Sequence, residues 1–171
     1  HNLIRSFNIP AEEYLDINNN YPYIIEQLKS VKCLENQSEP IIVLFPRKRL
    51  RKDSLYRNAN EDSYNEFCNI IKEKYPLSLT VQVGSDKETY DLNCDIKISD
   101  ILESIEYLKK ADLFITPNSG YYYFAKNCGC TNICVLLNES LPEYLTWFNP
   151  FSYNTKFVNT EDQVKEMIFN L

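Results

Sequence analysis

Histidine and glycine are almost missing from this sequence. Its 171 residues contain one histidine, His1, and three glycines, Gly84, Gly120 and Gly129. Glycines this sparse cannot write a G-x-x-x-x-G-K-S/T phosphate loop or a G-x-G-x-x-G dinucleotide turn, which excludes P-loop NTPases and ordinary dinucleotide enzymes. With His1 as the lone imidazole, the interior has no candidate for Ser-His-Asp or Cys-His catalysis, for H-E-x-x-H zinc chemistry or for a histidine base. Long apolar runs are missing too: none approaches the ~20 residues of a membrane span, and the N-terminus has no signal-peptide core. The expected location is cytoplasmic. Cationic excess is also absent, with 18 Lys and Arg against 24 Asp and Glu and a net charge of -6, so a dedicated nucleic-acid binder is not expected.

What is present is the composition of a soluble globular chain. Apolar residues make up 44%, aromatics 13% and charged residues 25%, and mean hydropathy is -0.40. The length suits one hydrophobic core. Charge is unevenly spread: Arg47, Lys48, Arg49, Arg51, Lys52 and Arg57 fall within eleven residues, while acidic residues dominate 12–16, 61–66 and 100–106. Of the six cysteines, four fall inside apolar strand or helix patterns, as reduced, buried thiols do. Cys128-Gly129-Cys130 with Cys134 lacks zinc-knuckle spacing and a completing histidine, so no metal is expected.

Residues 1–40 read as a lead-in helix, with Ile24, Ile25, Leu28 and Val31 at helical period, followed by a polar linker over 35–40. From 41 to 171 strands and helices alternate. The unbroken apolar run 41–45, stopped by Pro46, is the pattern of a strand covered on both faces of a parallel sheet. Further strands are expected at 79–83, 95–98, 113–115, 133–137 and 157–158. Helices are expected at about 61–74 with Asn60 as cap, from Asp100 with a capping box to Glu103, over 120–128, and from Thr160 with Gln163 to the end. Repeated β-α order makes a doubly wound, mostly parallel α/β sheet the economical fold.

In such a sheet ligands bind outside the carboxyl ends of the strands. The residues just after each strand are therefore the candidates. They are Pro46-Arg47-Lys48-Arg49, Gly84-Ser85-Asp86, Asn118-Ser119-Gly120 after Thr116-Pro117, and Asn138-Glu139-Ser140. Asn118-Ser119-Gly120 reads as a capped helix start that lets an anion approach the backbone, or as ordinary capping. Guanidinium forks at Arg47 and Arg49, with Arg51 and Arg57 as weaker candidates, suit a diphosphate; a solvated basic loop is the alternative. Gly129 reads as the left-handed residue that closes a helix.

Ile41-Ile42-Val43-Leu44-Phe45-Pro46-Arg47, the strand ending at Gly84, and Ala111-Asp112-Leu113-Phe114-Ile115-Thr116-Pro117-Asn118-Ser119-Gly120 with Ala125 and Gly129 resemble a known pattern. They look like the C-terminal half of GT-B glycosyltransferases, in particular the heptosyltransferase-like group. The resemblance covers about residues 41–137. Tyr121, Tyr122 and Tyr123 depart from it, standing where that group usually has Pro, Met and His.

The resemblance implies a Rossmann-like nucleotide-sugar-binding domain at 41–171 that transfers a sugar from a nucleoside-diphosphate donor without a metal, with inversion and with no cofactor. It implies a glycan or glycoconjugate acceptor and a catalytic base on an N-terminal half that this chain does not supply. Arg47, Arg49, Asn118, Ser119 and Gly120 become candidates for the diphosphate, and Gly84, Ser85, Asp86 and Glu139 for the nucleoside. Two alternatives stay open on the same fold. One is a nucleotide-sugar epimerase-like enzyme, which needs a histidine or an acidic base in the cleft. The other is a non-catalytic nucleotide-binding or interaction module.

Overall fold

Ile41, Ile42 and Val43 branch at Cβ and Leu44 completes an apolar run with no polar break, so this segment gains most as a strand walled in on both faces. In the computed structural model, which describes residues 39–49, 55, 57–137 and 155–171, it is strand β1 (Ile41–Leu44), no residue of it more than 5% exposed. The expected lead-in helix, Arg51 and Glu139 lie outside the described residues.

The chain continues through α1 (Glu61–Lys74), β2 (Leu79–Val83), β3 (Ile96–Ile98), α2 (Ile101–Lys110), β4 (Leu113–Pro117), α3 (Tyr121–Asn127), β5 (Ile133–Leu136), β6 (Thr155–Val158) and α4 (Glu161–Phe169). The strands form one sheet in the order β3-β2-β1-β4-β5-β6, and every ladder is parallel. Winding runs outward from β1 to β3, returns through α2 to β4, and runs outward again to β6. The expected doubly wound α/β sheet is the fold observed.

Alternation along each strand divides its side chains between two layers. Ile42, Leu44, Leu113, Ile115, Cys134 and Leu136 share a core with Tyr64, Phe67 and Ile71 of α1 and Val164 and Ile168 of α4. Phe45 and Phe114 face the other layer, where α2 and α3 pack. Each fully buried large side chain contributes roughly 1.5–3 kcal/mol. One polar group is trapped among them: the Tyr64 hydroxyl is buried without a hydrogen-bond partner, and burial raises that phenol well above its ordinary value.

Helix ends follow local chemistry. The Asn60 side chain accepts from the Asp62 and Ser63 N–H groups, and Asp100 accepts from Leu102 and Glu103 without the return bond from the Glu103 side chain that a capping box requires. Thr160 and Gln163 complete a reciprocal capping box on α4. At the end of α3, Cys130 N–H reaches Ala125 O at 3.0 Å and Gly129 N–H reaches Lys126 O at 3.0 Å, with Gly129 at φ +93°. This is the Schellman closure that a left-handed residue permits. Among the described residues no helix is long and apolar enough to cross a membrane.

Candidate functional site

The sheet reverses its winding between β1 and β4, and ligand crevices of open α/β sheets open at such a reversal, beyond the strand carboxyl ends. Because β2, β1 and β4 are neighbours in the sheet, three of the four expected runs emerge side by side there. Asn138-Glu139-Ser140, the fourth, lies outside the described residues.

The connection from β2 to β3 contains no helix and folds back over the end of β1. Thr89 forms an antiparallel bridge with Arg47, Lys48 N–H donates to Glu88 O at 2.6 Å, and Tyr90 N–H donates to Pro46 O at 2.9 Å. Gln82, a buried polar residue inside β2, secures the same loop: its Nε2 donates to Tyr90 O at 2.8 Å and its Oε1 accepts from Leu92 N–H at 2.9 Å. Under this cover Arg47 is only 4% exposed. Arg49, further out, pairs with Glu88 at 3.1 Å, and both groups of its backbone are held by the Asn58 side chain, at 2.9 and 2.8 Å.

Gly84, Ser85 and Asp86 form the first turn of that loop. The Ser85 carbonyl accepts from Glu88 N–H at 2.8 Å and from the Thr89 hydroxyl at 3.0 Å, and Asp86 is exposed. Gly84 has φ +115° and lies so close to Phe45 and Thr89 that a Cβ would stand 2.6 Å from the Phe45 ring. Here the missing side chain is a steric requirement.

At the end of β4 the geometry differs from the expected cap. The helix starts at Tyr121, Gly120 occupies the N-cap position in the right-handed region, and Asn118 does not cap it. Its carbonyl instead accepts from Arg57 Nε–H at 2.8 Å. The Ser119 hydroxyl accepts from Tyr121 N–H at 3.2 Å and lies 3.2 Å from the Thr116 hydroxyl. Asn118 and Ser119 are 9% and 5% exposed, so this is a closed, hydrogen-bonded turn. Arg57, the weaker candidate in the sequence, contacts it, joining the segment after β1 to the turn after β4.

The three tyrosines divide their roles. Tyr121 stacks on Phe45 at 4.2 Å and meets Phe124 edge-on at 5.6 Å. Burial pushes its phenol up to about 12, with a Ser104 hydrogen bond acting the other way. Tyr122 is 5% exposed, with its edge against Phe157 at 5.7 Å. Tyr123 alone reaches the surface, at 39% exposure. Packing accounts for the first two. Among the described residues no group of three or more His, Cys, Asp or Glu is arranged to hold a metal ion.

Comparison with solved structures finds E. coli ADP-heptose LPS heptosyltransferase II, with a TM-score of 0.59 and 15% identity, over 89% of this chain and 50% of that one. The fold is a Rossmann-like half of the GT-B type. At this identity the likeness carries the architecture and nothing finer, and the GT-B half described here spans about half the length of that protein. No family model matches the chain, and no curated protein matches it. The resemblance of the β1 and β4 segments to the C-terminal half of GT-B enzymes thus has a counterpart in the architecture.

Two positions in the site escaped sequence reasoning. Gln82 and Asn58 bear no ligand-binding signature, yet they hold the loops that follow β2 and β1. The one available signal was a glutamine in the middle of an apolar strand.

Proposed function

We propose that this chain is the donor-binding half of a glycosyltransferase, holding a nucleoside-diphosphate sugar in the crevice between β1 and β4. The observation that carries the reading is the bond from Arg57 to Asn118 O across the winding reversal of a GT-B half. It sets a planar cation, with donors besides Nε, beside a rigid turn at the point where such sheets take their ligands. Arg47, buried under the β2–β3 connection, and Arg49, paired with Glu88, leave β1 at the same end.

In this reading the sugar passes to a glycan or glycoconjugate acceptor on a second half, which also carries the base. The departing diphosphate gathers negative charge, and cationic side chains and main-chain N–H groups meet it without a metal and with inversion at the anomeric carbon. Gly84, Ser85, Asp86 and Glu139 are the proposed nucleoside contacts.

A thermal-shift series with nucleoside diphosphates and nucleotide sugars tests the reading. A ligand that binds only the folded state raises the melting temperature, with about 2.7 kcal/mol of stabilisation at one hundred times its Kd. No shift with any of them at millimolar concentration rules the proposal out. A non-catalytic module is the second reading, favoured by the core packing of Tyr121 and Tyr122. It predicts nucleotide binding without turnover when the chain is joined to its acceptor half.

A further inference from the structure

Three of the described cysteines are apolar filling. Cys128, Cys130 and Cys134 are buried, and burial pushes their thiols up to about 12, 11 and 12. Cys68 and Cys94 are different. Cys68 is 1% exposed on α1, Cys94 is half-buried on the helix-free connection between β2 and β3, and their sulfurs lie 3.5 Å apart. That is van der Waals contact, about 1.5 Å longer than a disulfide bond.

The two segments are already fastened around the sulfurs. Lys72, one turn beyond Cys68 on α1, pairs with Asp95, the neighbour of Cys94, at 2.6 Å. Asp95 also accepts from the Thr80 N–H and hydroxyl, each at 2.8 Å, and Asn93 N–H donates to the Asn65 side chain at 3.1 Å. Either sulfur can donate in the S–H···S contact. This contact draws the Cys68 thiol below its ordinary value, against burial and the Asp95 charge, and holds Cys94 above its own. A thiolate formed on either sulfur keeps the S–H of the other as its hydrogen-bond donor.

We infer that Cys68 and Cys94 form a redox-responsive dithiol, which a hydroperoxide converts to a disulfide stapling α1 to the β2–β3 connection. When the pair has lost one proton, the sulfur of Cys94, the more exposed of the two, passes its remaining proton to Cys68 and attacks hydrogen peroxide. An S–O bond forms, the O–O bond breaks, and hydroxide leaves and is protonated to water. The Cys68 sulfur then attacks Cys94: the S–S bond forms, the S–O bond breaks, and the departing hydroxide takes the Cys68 proton as a second water. Two thiols lose two electrons and one peroxide gains them. The bond closes a loop between positions 26 apart, and that loop includes Gly84, Ser85 and Asp86. Oxidation therefore tightens the cover over the end of β1 whether or not the crevice takes a nucleotide.

The test uses the whole chain, treated with hydrogen peroxide, blocked with iodoacetamide, digested without reductant and mapped by mass spectrometry. The expected product is a peptide pair joining Cys68 to Cys94, lighter by two hydrogens and separated again by dithiothreitol. Melting should rise by roughly 5–15 °C on oxidation. Cys94→Ser, a near-isosteric change at a half-buried position, should fold, give no such pair and melt at the same temperature with or without peroxide. Recovery of Cys94 as a sulfinic acid or an alkylated thiol, with Cys68 unlinked, overturns the inference. So does an equal rise in melting temperature in Cys94→Ser.

Discussion

Arg57 Nε–H donates to the main-chain carbonyl of Asn118 at 2.8 Å, joining the segment that follows β1 to the turn that follows β4. These positions are 61 apart in the chain. Hydrogen bonds from charged donors are worth about 1.5–3 kcal/mol. Arg57→Ala should therefore lower the unfolding free energy by about 1–2 kcal/mol in urea titration. On the proposed reading it should also weaken nucleoside-diphosphate binding about tenfold, a loss of about 1.4 kcal/mol. Arg57→Lys restores charge without the planar fork, so it should recover part of the affinity and little of the stability.

Gly84 and Gly129 both have positive φ, but their surroundings differ. A Cβ at Gly84 would stand 2.6 Å from Phe45 and 2.7 Å from Thr89, whereas at Gly129 nothing lies within 4 Å. Gly84→Ala adds overlap to backbone strain and should cost about 2–4 kcal/mol. Gly129→Ala carries the strain alone and should cost about 1–2 kcal/mol. Equal losses for the two in denaturant titrations would contradict the contrast.

The Tyr64 hydroxyl is buried without a partner, so its removal leaves no donor or acceptor stranded. Tyr64→Phe keeps the ring against Phe67, whose centroid lies 5.5 Å away. Stability should rise by about 1 kcal/mol, seen as a higher denaturant midpoint with an unchanged slope.

Burial pushes the Asp95 carboxyl up, but the Lys72 ammonium and the Thr80 N–H and hydroxyl outweigh it, so the group titrates below the usual carboxylate value. A carboxyl depressed in the folded state stabilises above its unfolded pKa of ~3.9, and that contribution disappears as pH falls through the folded value. Asp95→Asn should thus be less stable than the parent at neutral pH, and the two curves should converge as pH drops below about 4. Urea midpoints measured from pH 7 to pH 3 give the comparison.

Features set by neighbouring residues were legible in the sequence. Asn60, Asp100 and Thr160 cap because the side chain and the N–H groups it serves lie within three positions. The six strands followed from apolar runs bounded by breakers, and the mouth of the sheet followed from their order. Partnerships across long separations were not legible. Asp112, part of the resembling segment, accepts from Ile41 N–H at 2.8 Å, 71 positions away, at the end of the sheet opposite the crevice. It is a structural staple, and nothing local marks it as one. Arg47 and Arg57 looked alike in composition; the loop secured by Gln82 and Thr89 buried the first, and the Asn118 carbonyl engaged the second. The expected Asn118 cap gave way because the helix starts at Tyr121, which puts Gly120 at the N-cap and leaves the Ser119 hydroxyl to serve the Tyr121 N–H.

Strand β1 comes first in chain order among the six, yet its two partners, β2 and β4, begin 38 and 72 positions after it begins. A ribosome adding roughly 5–20 residues per second releases the most water-averse segment of the sheet seconds before β4 exists to cover its second edge. Nascent chains of this protein therefore pass through a stage in which Ile41–Leu44 is half paired at most. That interval is when a chaperone has most to protect and when truncated products are most prone to clump.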